Sequence, residues 1–231
     1  MAGRVTYHGG LVTDGLILHL DAARKPSYPG SGDVWYDLTS KRSVATTYNG
    51  ATYLDDSFSF DGANDYIRLA SNFLAGLELD GITLAAWIRP ETLSGLTLIA
   101  GAWAMSVSND QAALFTNNTS LLMAVADGSV GESGANSSSV LTTNQWQYVV
   151  GTWDISRTHN FYYNGNFVNS GTQGGAGWNA NTSAKFEIGG QHQNSRRYFD
   201  GEIAQVNVYN RALSASEVLQ NYNALKGRFG L

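Results

Sequence analysis

The sequence predicts an all-β chain, a two-sheet antiparallel sandwich closed by one short C-terminal helix. Three observations carry this. Short apolar or period-two runs recur along the chain, separated by Gly, Asn and Asp turns. Gly is 26 of 231 residues and Pro only 3, which suits many tight turns between short strands. Helical periodicity is confined to the C-terminal end.

Leu16–Leu20 (LILHL) reads as the first strand. Phe58 and Phe60 alternate with serines and run into the turn pair Asp61-Gly62, after which Asp65–Leu69 (DYIRL) resumes. Ile82–Ile88 (ITLAAWI) is almost continuously apolar, as expected of a strand covered on both faces. Leu96–Ala104, Leu114-Phe115 and Leu121–Ala126 follow as strands; the last is short and flanked by glycine, which favours strand over helix. Trp146–Trp153 is a strand that Gly151 interrupts, a candidate bulge. Asn164-Gly165, between Phe161-Tyr162-Tyr163 and Phe167-Val168, marks a hairpin whose two turn residues need positive φ. Phe186–Ile188 and Ile203–Tyr209 complete the set; in the latter, Ile203, Gln205, Asn207 and Tyr209 alternate with Ala204, Val206 and Val208. Ser214 and Glu217 fit a capping box. Val218, Leu219, Tyr222 and Leu225 then share a helical face, and Gly227 stops the helix after Lys226. Trp35, Trp87, Trp146 and Trp153 are expected in the core, and Trp103 is ambiguous. Asp127–Ser139 and Asn169–Ser183 are too polar for core and read as long exposed loops.

Composition narrows the function. Fourteen basic against nineteen acidic residues give a net charge of −5, with no basic tract, which argues against nucleic acid as partner. No apolar run approaches the ~18 residues of a membrane span, and the start MAGRVTYHGG lacks the apolar region of a signal peptide. Cysteine is absent, so disulfides, thiolate zinc sites and thiol nucleophiles are excluded.

Seven motifs in order resemble the laminin-G-like, or concanavalin A-like, jelly roll. They are Gly15–Ala22; Tyr28–Gly32 with Trp35–Leu38; Phe58–Gly62 with Asn64–Ile67; Thr83–Ile88; Trp146–Val149; Phe161–Gly165; and Phe199–Ile203 with Val206 and Tyr209–Ser214. They run from about Gly15 to Leu225, so residues 15–231 are expected to form a single domain. Met1–Asp14 precedes it as a candidate docking arm. The first two segments and the ending Leu219–Leu231 resemble a subgroup common among virion proteins of tailed bacteriophages. That resemblance implies a non-enzymatic virion structural protein, a capsid decoration or cement protein. Its partners would be the major capsid protein and further copies of the chain, with no membrane or nucleic acid partner. The alternative is a carbohydrate-binding adhesion module on a phage tail or capsid that takes host surface glycans; a polysaccharide hydrolase or lyase ranks behind both.

The chemistry of each class was sought in the residues. Retaining glycosidases need two carboxylates ~5–5.5 Å apart. The resemblance implies a Glu-x-Asp-x-x-Glu strand for such enzymes, but Glu78-Leu79-Asp80 is followed by Gly81-Ile82-Thr83. Jelly-roll lyases are expected to carry Gln-x-His with Arg and Tyr; Gln191-His192-Gln193 has a different spacing and lies in a Gly/Asn-rich loop. No catalytic residue is assigned. The resemblance also implies a structural Ca²⁺ whose carboxylate follows the isoleucine after Phe-x-Gly-x. Ala204 occupies that position, so that site lacks its carboxylate; no cofactor is assigned, and any structural Ca²⁺ would bind weakly or elsewhere. Asp61, Asp65 and Asp200 are read as turn residues. The candidate ligand or interface residues are Trp178, in a Gly/Asn loop with no alternation to bury it, and His192, Asn194, Arg196, Arg197 and Tyr198 in the Gly189–Tyr198 loop. Aromatic platforms with planar polar groups hold sugars, and Trp and Arg also anchor protein interfaces, so both readings stay open. Trp178 has a third: a lid over the core.

Overall fold

The structure is a computed structural model and describes residues 10–71, 73–104, 111–126, 134–172, 178–179, 184–192 and 196–231. Among them the strands are β1 (Leu16–Asp21), β2 (Val34–Tyr36), β3 (Val44–Tyr48), β4 (Thr52–Leu54), β5 (Ser57–Asp61), β6 (Tyr66–Leu69), β7 (Gly81–Pro90), β8 (Leu96–Ala102), β9 (Ala112–Asn117), β10 (Ser120–Val125), β11 (Gly134–Asn136), β12 (Gln147–Asp154), β13 (Thr158–Tyr163), β14 (Asn166–Thr172), β15 (Phe186–Ile188) and β16 (Asp200–Tyr209). One helix follows, α1 (Ala215–Leu225), and runs into a 3₁₀ turn, Lys226–Phe229.

The strands form two antiparallel sheets. The first has the order β14-β13-β12-β7-β16-β5-β4, with β1 also paired to β16. The second has the order β11-β10-β9-β8-β15-β6-β3-β2. Their inner faces share one core: Leu18, Leu20, Phe58, Phe60, Ile88, Val149, Phe161 and Val208 come from the first sheet, and Trp35, Ile67, Leu69, Ile99, Leu114, Met123 and Phe186 from the second. The all-β sandwich with a C-terminal helix is therefore present. β2, β3, β4 and β11 are additional strands; each is short and lacks a continuous apolar run.

The hairpin at Asn164-Gly165 forms, with φ of 48° and 79°. The capping box forms too: Ser214 accepts from the Glu217 amide, and Glu217 reaches back to the Ser214 N–H. Five local expectations are corrected. Gly151 makes no bulge, since its register to both β7 and β13 is unbroken. It is glycine because a Cβ there would lie 2.7 Å from the Met123 sulfur of the facing sheet. The bulge lies instead at Ala204, opposite β7. The extra residue inverts the alternation, so Ile203, Val206 and Val208 face the core while Gln205, Asn207 and Tyr209 face outward. Leu219 is exposed and Asn221 buried, because the helix seats on polar as well as apolar groups. Gly230, at φ 73°, ends the helical segment, since the chain tightens through Gly227. The polar stretches are partly sheet: β11 occupies 134–136, and β14 extends through Thr172.

The outer face of the first sheet is plated by the chain's own C-terminus. Trp87 stacks on Phe229 with ring centres 4.1 Å apart, and Tyr148 and Val150 lie in the same cluster with Val218 and Leu213. Residues 10–14 are not a free arm. Leu11 and Val12 are buried, and Val12 donates to Asn221 Oδ1 at 2.8 Å and accepts from the Tyr209 hydroxyl at 3.1 Å. Residues 1–9 of the proposed arm lie outside the described residues. Trp35, Trp87 and Trp153 are buried, whereas Trp146 is half-buried beside Phe229.

Two stability outcomes follow from these contacts. Gly151→Ala is expected to destabilise by about 1–3 kcal/mol through overpacking, read as a lower urea midpoint. His159 on β13 is 1 % exposed, and burial pushes its pKa down to about 4, with the Asp154 carboxylate opposing. The unfolded chain then takes the proton first. Stability is complete above pH ~6.5 and drains as pH falls toward 4, by about 3 kcal/mol. Urea titrations of the protein and His159→Leu at pH 7.5 and 4.0 check this; the variant should lose that much less between the two.

Candidate functional site

No helix among the described residues covers the outer face of the second sheet, and its outward positions form two unlike halves. In the β3–β6–β15 half, register places Thr46, Arg68 and Glu187 in one row and Tyr48 opposite Tyr66 in the next. Ala45, Ile67, Leu69, Phe186 and Ile188 alternate with them and enter the core.

The rings make a column. Tyr48 and Tyr66 stack at 4.8 Å with planes 7° apart, and His192 stacks on Tyr66 at 4.3 Å and 13°. Tyr66 is buried between them, while Tyr48 is 39 % exposed. The Arg68 guanidinium carbon lies 4.9 Å from the Tyr66 ring centre and 5.8 Å from that of Tyr48, within cation–π range. Arg68 donates from Nε at 2.9 Å and Nη2 at 2.5 Å to Glu187 Oε1, and the His192 amide donates to Glu187 Oε2 at 3.0 Å. Glu187 is almost fully buried, so the pair is held rather than solvated. Burial and the nearby Arg68 both push the His192 pKa down, which keeps the ring neutral at pH 7. Its Nδ1 is buried without a hydrogen-bond partner. Tyr198 joins this region over Gly190, where a Cβ would fall 2.5 Å from its ring.

In the β8–β9–β10 half the outward cluster is apolar: Leu98, Trp103, Phe115 and Ala124 are buried, with Leu96 and Leu122 at the margin. A cavity of about 180 Å³ opens there. Arg197 borders it, its guanidinium carbon 5.3 Å from the Phe115 ring centre. A larger cavity of about 290 Å³ near Tyr36 and Arg42 is backed by Asp37. Both oxygens of that carboxylate are spent on a turn, accepting from the His19, Thr39 and Ser43 amides and the Thr39 hydroxyl.

The loop residues picked from the sequence are thus divided. His192 and Tyr198 belong to the ring column, and Arg197 borders the apolar cavity. Arg196 is exposed, with its backbone bridged to Gln191. Asn194 lies outside the described residues. Trp178 is a lid: half-buried against the core, it donates from Nε1 to the Leu77 carbonyl at 2.7 Å and packs 6.4 Å from Trp153. Tyr48, Tyr66, Arg68, Glu187, Gln191 and Trp103 were missed. The signal for Tyr66 and Arg68 was the period of two in YIRL, which sends them to the face opposite Ile67 and Leu69. Among the described residues no three His, Asp or Glu side chains converge as a metal site. Ala204 is buried, and its carbonyl accepts from the Ala22 amide at 3.0 Å.

Arg68→Ala would leave the Glu187 carboxylate buried without its guanidinium, an expected loss of roughly 3–5 kcal/mol. Arg68→Met with Glu187→Leu should recover most of it. Chemical unfolding of the single and double variants measures the difference.

A sequence profile described as the concanavalin A-like lectin/glucanases superfamily, laminin G type, matches residues 61–219. A search of curated proteins found no match. Among solved structures, the chain is similar to the binding domain of botulinum neurotoxin DC in complex with SialylT, at TM-score 0.69 and 14 % identity, over 93 % of this chain and 52 % of that one. The same neurotoxin domain in complex with rat synaptotagmin II gives 0.68 and 11 %, over 91 % and 52 %. A structure of botulinum neurotoxin type C, titled for its interaction with two ganglioside molecules, gives 0.65 and 11 %, over 91 % and 51 %. The chain spans about half the length of these neighbours, and at such identity the likeness is one of fold; none of the three is a phage protein. With the profile covering more than half of its length, the chain belongs to the concanavalin A-like lectin/glucanases superfamily.

Proposed function

We propose that this chain is a non-catalytic, lectin-like module that holds a saccharide on the outer face of the second sheet. The observation that carries this is the ring column of Tyr48, Tyr66 and His192, braced by the Arg68–Glu187 pair. A sugar offers an apolar C–H face and a fringe of hydroxyls. The exposed Tyr48 face suits the first, and the Arg68 guanidinium, neutral His192 and the Tyr198 hydroxyl suit the second. The held ion pair fixes the geometry before ligand arrives, which lowers the ordering cost of binding. Both Glu187 oxygens are already committed, so the carboxylate is a brace rather than a proton donor. Two solved neighbours, of which this chain matches about half, are titled for an interaction with gangliosides and for a complex with SialylT, and this supports a glycan as the ligand class to test first.

The resemblance to tailed-phage virion proteins supports one setting for such a module, display in many copies on a particle, where avidity multiplies weak single-site contacts.

Tyr48→Ala tests the site. On a glycan array and by calorimetry it should lower affinity for the bound sugar at least tenfold, about 1.4 kcal/mol, while loss of its stack on Tyr66 lowers the thermal midpoint modestly and leaves the domain folded at the assay temperature. Unaltered sugar binding in that variant would remove the site.

A further inference from the structure

We propose that the cavity at Tyr36 and Arg42 is a second subsite, one that takes an oxyanion, the carboxylate or sulfate of an acidic saccharide. The choice of a saccharide rests on the reading of this face given above; the choice of an anion does not.

β2 is the edge strand of the second sheet and pairs with β3, Trp35 opposite Ala45 and Tyr36 opposite Val44. Trp35 and Ala45 enter the core, so Tyr36 turns outward and is 44 % exposed. Tyr48 lies on the same outward side, four residues beyond Val44 along β3, which at ~3.3 Å per residue is roughly 13 Å. The cavity of about 290 Å³ therefore opens at the rim of the face that carries the ring column. A short oligosaccharide spans that interval.

The walls are pinned from behind. Ser27, fully buried, donates its hydroxyl to the Tyr36 carbonyl at 2.6 Å, and its own carbonyl accepts from the Tyr36 amide at 2.7 Å. This ties the Pro26 side of the cavity to Tyr36. On the other side Asp37 takes the Thr39 and Ser43 amides, at 2.9 and 3.2 Å, and the Arg42 amide closes the turn on the Thr39 carbonyl at 3.2 Å. The lining left for a ligand is accessible: Pro26, Tyr36, Ser40 and Arg42 are all exposed.

The charge there has the opposite sign to the rest of the chain. Residues 24–42 hold Arg24, Lys25, Lys41 and Arg42 against Asp33 and Asp37, whereas all other positions together have ten basic and seventeen acidic residues. Arg24 is paired, its Nε 3.4 Å from Asp21 Oδ2. Lys25, Lys41 and Arg42 have no acidic partner among the described residues. Lys25 precedes Pro26, and Lys41 lies between Ser40 and Arg42, so both lysines flank the lining in sequence. The one carboxylate behind the cavity, Asp37, is buried and already accepts from three amides and a hydroxyl.

Arg42 thus offers a guanidinium whose parallel N–H donors match a carboxylate or sulfate. Tyr36 and Pro26 offer apolar surface to the C–H face of a sugar ring. A lone exposed ion pair contributes little in water, so the two contacts act together. A neutral sugar leaves the guanidinium without a counter-charge. A nucleic acid brings a dense line of phosphates to a chain of net charge −5. An acidic peptide brings carboxylates on flexible stems, without a sugar ring to lie on Tyr36.

The test uses the whole chain and titration calorimetry with two matched pairs: galacturonate tetramer and its methyl ester for carboxylate, a sulfated galactan tetramer and its desulfated parent for sulfate. At low salt at least one pair is expected to show a preference of about tenfold or more for the acidic member, the order of one charge-assisted hydrogen bond, and high salt should shrink it. Arg42→Gln should remove most of that preference. Arg157→Gln deletes the same charge from another exposed arginine in left-handed backbone, φ 68° against 49° for Arg42, and should leave the preference unchanged. Tyr36→Ala should weaken both members of the pair. Equal affinity or no binding within both pairs, or equal effects of Arg42→Gln and Arg157→Gln, overturns the subsite and leaves Tyr48-dependent sugar binding standing. Polyglutamate or single-stranded DNA bound as tightly as the acidic sugars overturns the choice of a saccharide. Binding of none of these sugars or of any arrayed glycan overturns the underlying reading with it.

Discussion

The arrangement depends on one asymmetry in burial. Each sheet has an inner face that must be dry, and the alternation of a strand sends every second side chain the other way. The first sheet solves its second face internally: α1 and the 3₁₀ turn lie across it, so β7 and β16 are buried on both sides nearly throughout. The second sheet receives no such cover among the described residues. Its outward residues fall into two halves, stacked rings with an ion pair in one and a buried apolar cluster in the other.

Those groups are poor choices for stability alone. An ion pair with one partner buried repays little more than its desolvation, and apolar residues of similar volume serve a core better. Unpartnered indole, amide and imidazole atoms add further cost. What such groups do provide is position. Glu187 takes Arg68 on one oxygen and the His192 amide on the other, so one carboxylate orients a β6 side chain and the backbone of the loop after β15 together. A preorganised surface of this kind spends folding free energy to reduce the entropy lost on binding.

Several elements could be read before any coordinates because their causes are local. Asn164-Gly165 specifies a hairpin through the φ values both residues tolerate, and Ser214 with Glu217 specifies a helix start through two reciprocal hydrogen bonds. Where the reading missed, a distant partner decided. Gly151 looks like a strand interruption until Met123 of the other sheet is seen against it. Ala204 looks like an ordinary position of a regular alternation until its register with β7 is known. Trp178 looks unburied because the residues beneath it, Leu77 and Trp153, are far off in sequence. His192 and Tyr198 were legible as polar and aromatic residues in a loop, but Arg68 and Glu187 are 119 positions apart and nothing in either neighbourhood pairs them.

The amino-acid sequence by itself determined the class of fold, the turns, the helix start and the absence of cysteine chemistry, since these follow from period, propensity and residue type over a few neighbouring positions. Which rings and charges meet on the outer face of the second sheet was decided only by tertiary structure. Strand order and register join residues a hundred or more positions apart, and a single bulge reverses every side chain beyond it.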